Sequence, residues 1–318
     1  MHPNSFRFGD ADTVAATGAF LQGELERLDP KLYAPIADFT GLRDVRLRTD
    51  VSIADSVSSF ILSTYAAASA PGSKKSWAKA LGTAIGRTSV GATKVISPMT
   101  PWAQEVSWNM IELAQAARVG RPIDTQKLDA LKMKHDMDLD LQIYFGDDEL
   151  SVKGLLNSDQ VTVQNATKLT DSATQNDWLT LFNNVLNAAW KQSKYTRLPK
   201  DMLISPALFA KLNAMQLTNT DKSVLTYILE NNLSATTYGP GSLSIRPCKY
   251  LTQEFGGFAN ERIVTYTNDE ADVRFPLVPL QHTAPQYRGL DQTSVYYCAF
   301  GVLEIVRPDF MLYTDLAA

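Results

Sequence analysis

Two stretches decide the fold of this chain: LDLQIYFGDDELSVKGLLN (residues 139–157) and APQYRGLDQTSVYYCAFGVLEIVRPDFMLYTDL (residues 284–316). The first ends a long helical pattern at a glycine and continues into a turn, and the second reads mostly as strands. Neither stretch contains a nucleophile with a base, a cluster of metal ligands or a phosphate-binding loop. Both stretches are typical of structural elements rather than of a catalytic site, so the question becomes which structure the chain builds.

The composition is that of an ordinary globular protein. The 318 residues are 45% apolar and 20% charged, enough for one large domain or two smaller ones. A net charge of -4 does not provide the basic surface of a nucleic-acid-binding protein. No run of about 18 apolar residues predicts a membrane span, and the N-terminus lacks the layout of a signal peptide. We therefore expect a soluble protein with no membrane partner.

The helical and strand patterns predict an α+β fold. Thr125–Phe145 predicts a helix about 30 Å long, with Asp124 as its N-cap, Gly146 as its stop and two apolar stripes. Asp177–Ser193 predicts an amphipathic helix whose apolar side chains share one face. Strands dominate the remainder, so distant segments are expected to share a sheet.

Several shorter elements complete this prediction. Ser205–Pro206 is a helix N-cap followed by proline in the first turn. The other predicted helices are Thr17–Leu28, Ala207–Leu217 and Asp221–Asn231, the last capped by Thr220 or Asp221. The predicted strands are residues 44–65, 202–204, 243–246, 262–266, 273–280, 294–300, 302–306 and 310–313. Cys248 and Cys298 are expected to be buried, reduced thiols.

A long excursion interrupts the first strands. Residues 66–93 read AAASAPGSKKSWAKALGTAIGRTSVGAT, with four glycines and many small residues. We expect a long loop between two strands, with one helical turn at Lys75–Leu81. Loops of this length in a domain are functional or become ordered on meeting a partner.

Motifs for chemistry fail when their spacing is tested. Asp136, Asp138 and Asp140 begin like a calcium loop, but the helical pattern continues through them and the required glycine is missing. Residues 72–76 (GSKKS) lack the spacing of a nucleotide-binding loop. The histidines His2, His135 and His282 match no catalytic motif. We expect no catalytic, cofactor-binding or metal site, and no enzyme.

Four segments, in chain order, resemble the major capsid proteins of tailed bacteriophages with the Hong Kong 97-type fold. They are FLQGELERLDPKLYAPI (residues 20–36), VSWNMIELAQAARVGRPIDTQKLDALKMKHDMDLDLQIYFGD (residues 106–147), VKGLLN (residues 152–157) and the terminal block at residues 284–316. The second is similar to the strand, short helix and long "spine" helix of that family, and the third to its G-L-L-N turn.

The resemblance implies a division of the chain. The implied regions are an N-terminal arm (1–40), a first part of the peripheral domain (41–58), an extended loop (59–98), the peripheral domain with the spine helix (99–169), an axial domain (170–285) and C-terminal strands returning to the peripheral domain (286–318).

The same resemblance implies a self-assembling coat protein of the virion. It would form hexamers and pentamers in an icosahedral shell around double-stranded DNA, after synthesis in the host bacterial cytoplasm. Its other partners would be a portal, either a separate scaffolding protein or no scaffold, and the packaged DNA through weak contacts. A decoration protein is a further candidate partner. Candidate contacts between subunits are Lys74, Lys75, Trp77, Lys79, Arg87 and Lys94. The lysines at 74, 75 and 79 are also candidates for a covalent cross-link, which we do not expect because no partner asparagine is found by motif.

Two alternatives stay open at this point. A related shell protein of a bacterial encapsulin-type nanocompartment would assemble without DNA and bind a cargo peptide. An unrecognised α+β enzyme would need a convergent polar pocket, for which the residues offer no constellation.

Overall fold

The computed structural model describes residues 37–68, 87–119, 123–170, 173–217 and 221–317. The chain divides into two units, Met1–Asp38 and Phe39–Ala318, and every element described below lies in the second. The helices are α1 (Gly41–Asp44), α2 (Met110–Val119), α3 (Ile123–Tyr144), α4 (Gln175–Gln192), α5 (Pro206–Ala214), α6 (Val224–Glu230), α7 (Leu233–Tyr238) and α8 (Gln253–Gly256), with 3-10 turns at Lys249–Leu251 and Pro308–Phe310.

The strands are β1 (Arg46–Arg48), β2 (Val57–Ala68), β3 (Arg87–Pro98), β4 (Thr100–Asn109), β5 (Gly146–Asp147), β6 (Val152–Lys153), β7 (Thr162–Thr167), β8 (Asp201–Ile204), β9 (Ser244–Pro247), β10 (Glu261–Tyr266), β11 (Val273–His282), β12 (Gln286–Arg288), β13 (Asp291–Phe300), β14 (Glu304–Ile305) and β15 (Leu312–Ala317).

A six-stranded sheet is built around β13. This strand pairs antiparallel with β4 along its whole length and with β11 on its other side, and β11 in turn pairs with β1 and β14. Helix α3 packs on the sheet: Leu131 contacts Val106 and Trp108, while the His135 ring lies beside the rings of Trp102 and Phe300. His135 is therefore a packing residue.

A five-stranded sheet has the order β7-β15-β10-β8-β9. It mixes parallel and antiparallel pairs, with β15 parallel to β7 and antiparallel to β10. Helix α4 supplies its predicted apolar face to the core beside this sheet; Trp178, Leu181, Phe182, Val185, Leu186 and Ala189 are all buried. Periodic burial of one stripe is what makes this helix readable from sequence.

Strands β2 and β3 form a separate antiparallel hairpin. Their pairing runs from Val57 opposite Pro98 to Ala68 opposite Arg87, twelve pairs in all. At about 3.4 Å per residue, each strand is about 40 Å long. The predicted excursion at 66–93 is thus strand at both of its ends, and its predicted helical turn at Lys75–Leu81 lies outside the described residues, as does the predicted helix Thr17–Leu28.

The long helix and the Ser205 cap are confirmed. Helix α3 ends at Tyr144, directly before Phe145 and Gly146, and it continues through the three aspartates that resemble a calcium loop. The Ser205 hydroxyl accepts a hydrogen bond from the Leu208 amide at the start of α5. Both signals depend only on neighbours in sequence, which explains why they could be read without the structure.

Two predicted caps are wrong. Asp124 is the second residue of α3, not its N-cap, because the helix begins one residue before it. Helix α6 is capped by Ser223, whose hydroxyl accepts from the Thr226 amide, rather than by Thr220 or Asp221. In both cases the true start is displaced by one to three residues, the usual range for predicted helix ends.

The end of the chain also differs from its prediction. Only Glu304 and Ile305 of the predicted strand 302–306 are paired. Strand β15 joins the five-stranded sheet, whereas β13 lies in the sheet that carries α3. Strand β7 also lies in the five-stranded sheet, and β11 lies in the six-stranded one. Long-range pairing decides these memberships, and local patterns do not contain it.

Three further local features belong to the fold. Gly301 marks a close backbone approach: a Cβ there would lie 2.8 Å from the Pro276 Cβ. Cys248 and Cys298 are free and buried, as predicted. Among the described residues, no helix is both long and apolar enough to cross a membrane.

Candidate interaction surfaces

One face of the β2–β3 hairpin, here called the outer face, is apolar and uncovered. It carries Val57, Ile61, Tyr65, Val90 and Ile96, which remain between 49% and 79% exposed. Directly paired residues in an antiparallel ladder share a face, which places Tyr65 beside Val90. Large apolar side chains grouped on one face of a ribbon mark a surface that another molecule covers.

The opposite face turns toward the body of the molecule only near the base. Ser58 is buried, and Phe60, Leu62 and Val95 are partly buried. Farther along, Thr64 and Ala66 are exposed. The hairpin therefore extends from the body after its first few residue pairs.

The predicted contact residues fall partly on this hairpin. Lys94 pairs with Ile61 on the outer face, and Arg87 pairs with Ala68 at the far end of the ladder. Both cations are exposed. Lys74, Lys75, Trp77 and Lys79 lie outside the described residues.

Charge separates the hairpin segment from the rest of the chain. Residues 57–98 contain five of the 30 Lys and Arg and none of the 34 Asp and Glu. The remainder therefore carries 25 basic against 34 acidic residues, a net charge of -9. A cationic segment beside an anionic remainder favours contact between copies of the same chain.

A groove of about 270 Å³ beside the last turns of α3 combines apolar walls with carboxylates. Pro101, Trp102 and Leu141 supply apolar surface, and Asp138 and Asp147 supply negative charge. The Trp102 indole donates to the Asp138 carboxylate at 3.0 Å, which fixes both side chains. This groove suits an apolar and basic ligand.

The base of the hairpin is held by a buried carboxylate, Glu304, whose side chain is fully buried. Arg274 donates to Glu304 at 2.7 Å, Arg48 lies 3.3 Å from it, and the Ser58 hydroxyl donates to it. The Arg48 guanidinium also donates to the Ser58 hydroxyl at 2.9 Å. The two arginines offset the free-energy cost of removing the Glu304 carboxylate from water.

A second buried junction joins α1 to the end of α3. The amides of Thr40 and Gly41 donate to one oxygen of Asp140, and the Tyr250 hydroxyl donates to the other at 3.0 Å. The Tyr144 hydroxyl donates to the Asp44 carboxylate, so both acids of this junction are satisfied.

Electrostatics around this junction favour neutral phenols and thiols. Burial, followed by neighbouring acidic groups, raises the pKa of Tyr144 and of Tyr250 above the ordinary phenol value. Burial also raises the pKa of the Cys248 thiol to about 12, and burial alone does the same for Cys298. Neither thiol is a nucleophile near neutral pH.

A metal centre is not assembled within the part of the chain that the structure describes. No three His, Cys, Asp or Glu side chains come close enough together there to hold an ion. The three aspartates that resemble a calcium loop diverge instead: Asp136 contacts His135, Asp138 contacts Lys134, and Asp140 is buried in the junction. Helical geometry explains this, because residues two apart point in different directions.

Comparison with known proteins decides among the remaining classes. The model of the family described as major capsid protein matches residues 74–316. The chain belongs to the major capsid protein family. It is thus a shell-forming coat protein, and the structural role of the family agrees with the architecture described above.

Solved capsids share the fold of this coat protein. The capsid of Myoviridae phage XM1 is 13% identical, with a TM-score of 0.77 over 94% of this chain and 99% of that chain. The capsid of a native GTA particle is 10% identical, with a TM-score of 0.64 over 96% of this chain and 99% of that chain. Mycobacterium phage Ogopogo is 13% identical, with a TM-score of 0.57 over 94% of this chain and 100% of that chain. These likenesses confirm the Hong Kong 97-type α+β fold. No curated protein matches the chain.

Sequence reasoning missed the buried acids that organise the coat protein. Glu304, Asp44 and Asp140 are brought to their partners by pairings across 30 to 256 residues. No local pattern marks them, because an isolated Asp or Glu is most often solvated.

Proposed function

We propose that this coat protein forms an icosahedral head shell, built of hexamers and pentamers, around the double-stranded DNA of a tailed bacteriophage. The observation that carries the proposal is the uncovered outer face of the hairpin. A two-stranded ribbon is marginal on its own in water, so an exposed ribbon with large apolar side chains requires a partner.

A second copy of the chain is the partner that the charges favour. All the charged residues of the hairpin segment are basic, and the remainder of the chain is net acidic. The hairpin of one copy is therefore complementary in charge to the remainder of the next copy. Burying the apolar side chains of the outer face contributes roughly 1.5–3 kcal/mol each. Many such contacts, each modest, add up through multivalency in a closed shell.

The groove beside Asp138 and Asp147 is the receiving surface that fits best among the described residues. Its apolar walls match Ile61 and Tyr65, and its carboxylates match Lys94, which stands beside Ile61 on the outer face. Such an arrangement is head-to-tail, and head-to-tail contacts form rings, as in capsomers, when the rotation between successive copies closes.

The other roles belong to the same proposal. The division into arm, extended loop, peripheral domain and axial domain is retained, with the extended loop at the hairpin and the peripheral domain around α3. We infer a separate scaffolding protein, a portal and a decoration protein as partners, and synthesis in the host bacterial cytoplasm. An acidic chain makes few and salt-sensitive contacts with packaged DNA. We infer no enzymatic role.

The test is assembly of the purified full-length chain, followed by negative-stain electron microscopy and light scattering. The double variant Ile61→Asp/Tyr65→Asp places two charges on the outer face, and Ser63→Asp/Thr64→Asp is matched in charge but leaves the large apolar side chains in place. We expect shells or rings from the unmodified chain and a loss of at least tenfold in assembled mass for the first variant, with a smaller loss for the second. Normal shells from the first variant would refute the role of the outer face.

The same preparation separates a virion shell from a cargo compartment. A virion shell protein made without its phage partners yields empty or irregular shells. A cargo compartment yields uniform shells that retain a host enzyme through repeated purification. Recovery of one stoichiometric enzyme inside uniform shells would contradict the phage assignment.

A further inference from the structure

The carboxylate of Glu304 belongs to the sheet, while one of its partners belongs to the hairpin. Glu304 lies opposite Arg274 in the β14–β11 pair, and Arg48 lies opposite Pro276 in the β1–β11 pair. Three strands of the six-stranded sheet thus hold the carboxylate and both guanidinium groups. Ser58, the second residue of β2, supplies the contact from the hairpin.

The connection continues for two residues along β2. Arg48 donates to the Ser59 carbonyl at 3.2 Å, and the Arg274 guanidinium lies 5.7 Å from the centre of the Phe60 ring. On the other strand, the chain passes from β3 into the sheet through Met99, which is buried. Beyond these residues the hairpin is mostly exposed, so its direction is determined at its base.

We propose that Glu304 is a positioning residue that sets the direction of the hairpin against the six-stranded sheet. In this role it acts through Ser58 and the two arginines and touches no second copy itself. The inference rests on the proposed function, because the direction of the hairpin decides whether the outer face reaches a neighbouring copy.

The physical reason is the geometry of a preorganised socket. A buried carboxylate between two arginines has its acceptor directions fixed by charge-assisted hydrogen bonds. The hydroxyl of Ser58 fits such a socket in few orientations, and strand β2, which carries Ser58, is restricted in the same way. Removing the charge leaves two partly buried cations that repel each other, which opens the socket without touching the core beside α4.

Two variants test the socket from its two sides. Glu304→Gln keeps the shape and removes the charge, whereas Ser58→Ala keeps the charges and removes the hydroxyl. Asp50→Asn is the matched control, because Asp50 pairs with Arg48 from the solvent side and does not touch the hairpin. Should Glu304→Gln fail to fold, Ser58→Ala still tests the positioning role.

The test measures the distance from the hairpin to the body, because a residue that only stabilised the fold would leave this distance unchanged when it is replaced. Spin labels at Thr93→Cys on the hairpin and Gln160→Cys on the body are exposed sites, while the native cysteines are buried. The measurement is made in the Ile61→Asp/Tyr65→Asp background, which we expect to keep the chain unassembled, and light scattering checks that it does.

We expect a single narrow distance distribution for the background chain and for Asp50→Asn, and a distribution at least twice as wide for Glu304→Gln and Ser58→Ala. Without the outer-face changes, those two variants should assemble at least tenfold less, with unchanged near-ultraviolet circular dichroism. Unchanged distances in both variants would overturn the inference. Failure of the unmodified chain to assemble would instead count against the proposed function, since the distance measurement needs no assembly.

Discussion

The hydroxyl of Tyr144 donates a hydrogen bond of 2.5 Å to the carboxylate of Asp44, across 100 residues of sequence. Tyr144 is the last residue of α3, and Asp44 is the last residue of α1. Both side chains are buried. Arg43 and Arg246 form ion pairs with the same Asp44 carboxylate, at nitrogen–oxygen distances of 2.8 Å and 3.3 Å. This contact joins the start of the described chain to the end of its longest helix.

Replacing Asp44 with Asn should lower the free energy of unfolding by about 3 kcal/mol, because the change leaves buried donors without their charged acceptor. Urea unfolding followed by circular dichroism measures the loss. Asp50→Asn, which removes an exposed carboxylate, is the control and should cost less than about 1 kcal/mol. Equal losses for the two variants would show that the junction is not a stabilising element.

Gly154 should not tolerate a side chain. A Cβ at this position would lie 2.4 Å from the Tyr144 carbonyl carbon and 2.6 Å from the Phe145 nitrogen, both backbone atoms at the end of α3. We expect Gly154→Ala to cost about 3 kcal/mol or more, since backbone atoms cannot move aside without distorting the helix end. Urea unfolding gives the value.

Gly91→Ala is the matched control for Gly154→Ala. Its Cβ would meet the Thr64 hydroxyl oxygen, the end of a side chain that can rotate away. We expect a change below about 1 kcal/mol. A control variant as unstable as Gly154→Ala would mean that general strand or turn propensity, rather than close approach, decides both results.

Reversing one charge of the proposed contact should reduce assembly, and reversing its partner should restore it. We expect Lys94→Glu to assemble at least tenfold less than the unmodified chain, and Lys94→Glu/Asp147→Lys to regain most of the loss. Light scattering at low and high salt measures both, and the effect should weaken as salt screens the charges. Restoration by Glu254→Lys, which changes a residue that does not line the groove, would point to net charge rather than to a specific contact.

The two thiols should be inert toward a thiol reagent in the folded chain at pH 8. Burial raises the pKa of Cys248 and Cys298 to about 12, so almost no thiolate forms at that pH. Since the unfolded chain ionises first, near the ordinary value of 9, these groups leave stability intact below pH 9. The free energy of unfolding falls as the pH rises from about 9 to about 12, because the thiols of the unfolded chain ionise in this range while those of the folded chain stay neutral.

Ellman's reagent tests this expectation. We expect two reactive thiols in concentrated guanidinium chloride and fewer than one in ten chains modified per hour in buffer at pH 8. Rapid reaction of either thiol in buffer would contradict its burial in the folded state.

Local signals explain what could be predicted from sequence. The apolar stripe of α4, the length of α3 and the Ser205 cap each depend on residues within a few positions of one another. The arrangement of the strands could not be obtained this way, because β15 pairs with β7 some 150 residues before it. Resemblance to a known family supplied the architecture where periodicity could not.

The candidate surfaces divide in the same manner. Arg87 and Lys94 could be singled out as basic residues in a long excursion, yet their faces follow only from the register of the hairpin. Glu304 could not be distinguished from a solvated glutamate, because its meaning depends on Arg274, Arg48 and Ser58 from three other strands. Composition alone identifies the basic hairpin segment, whereas the contacts that hold its base at Glu304 follow only from the pairing of the strands.

Strands β13 and β15 occupy inner positions in the two large sheets, and each is synthesised after the strands that flank it. Until they appear, β4, β11, β7 and β10 lack the neighbour between them, so neither sheet can close on a nascent chain. The two sheets therefore close only after β13 and β15 have been synthesised, and a chain interrupted before these strands carries two unfinished sheets. The order of the strands thereby acts as a check on completeness, excluding interrupted translation products from any particle built of whole subunits.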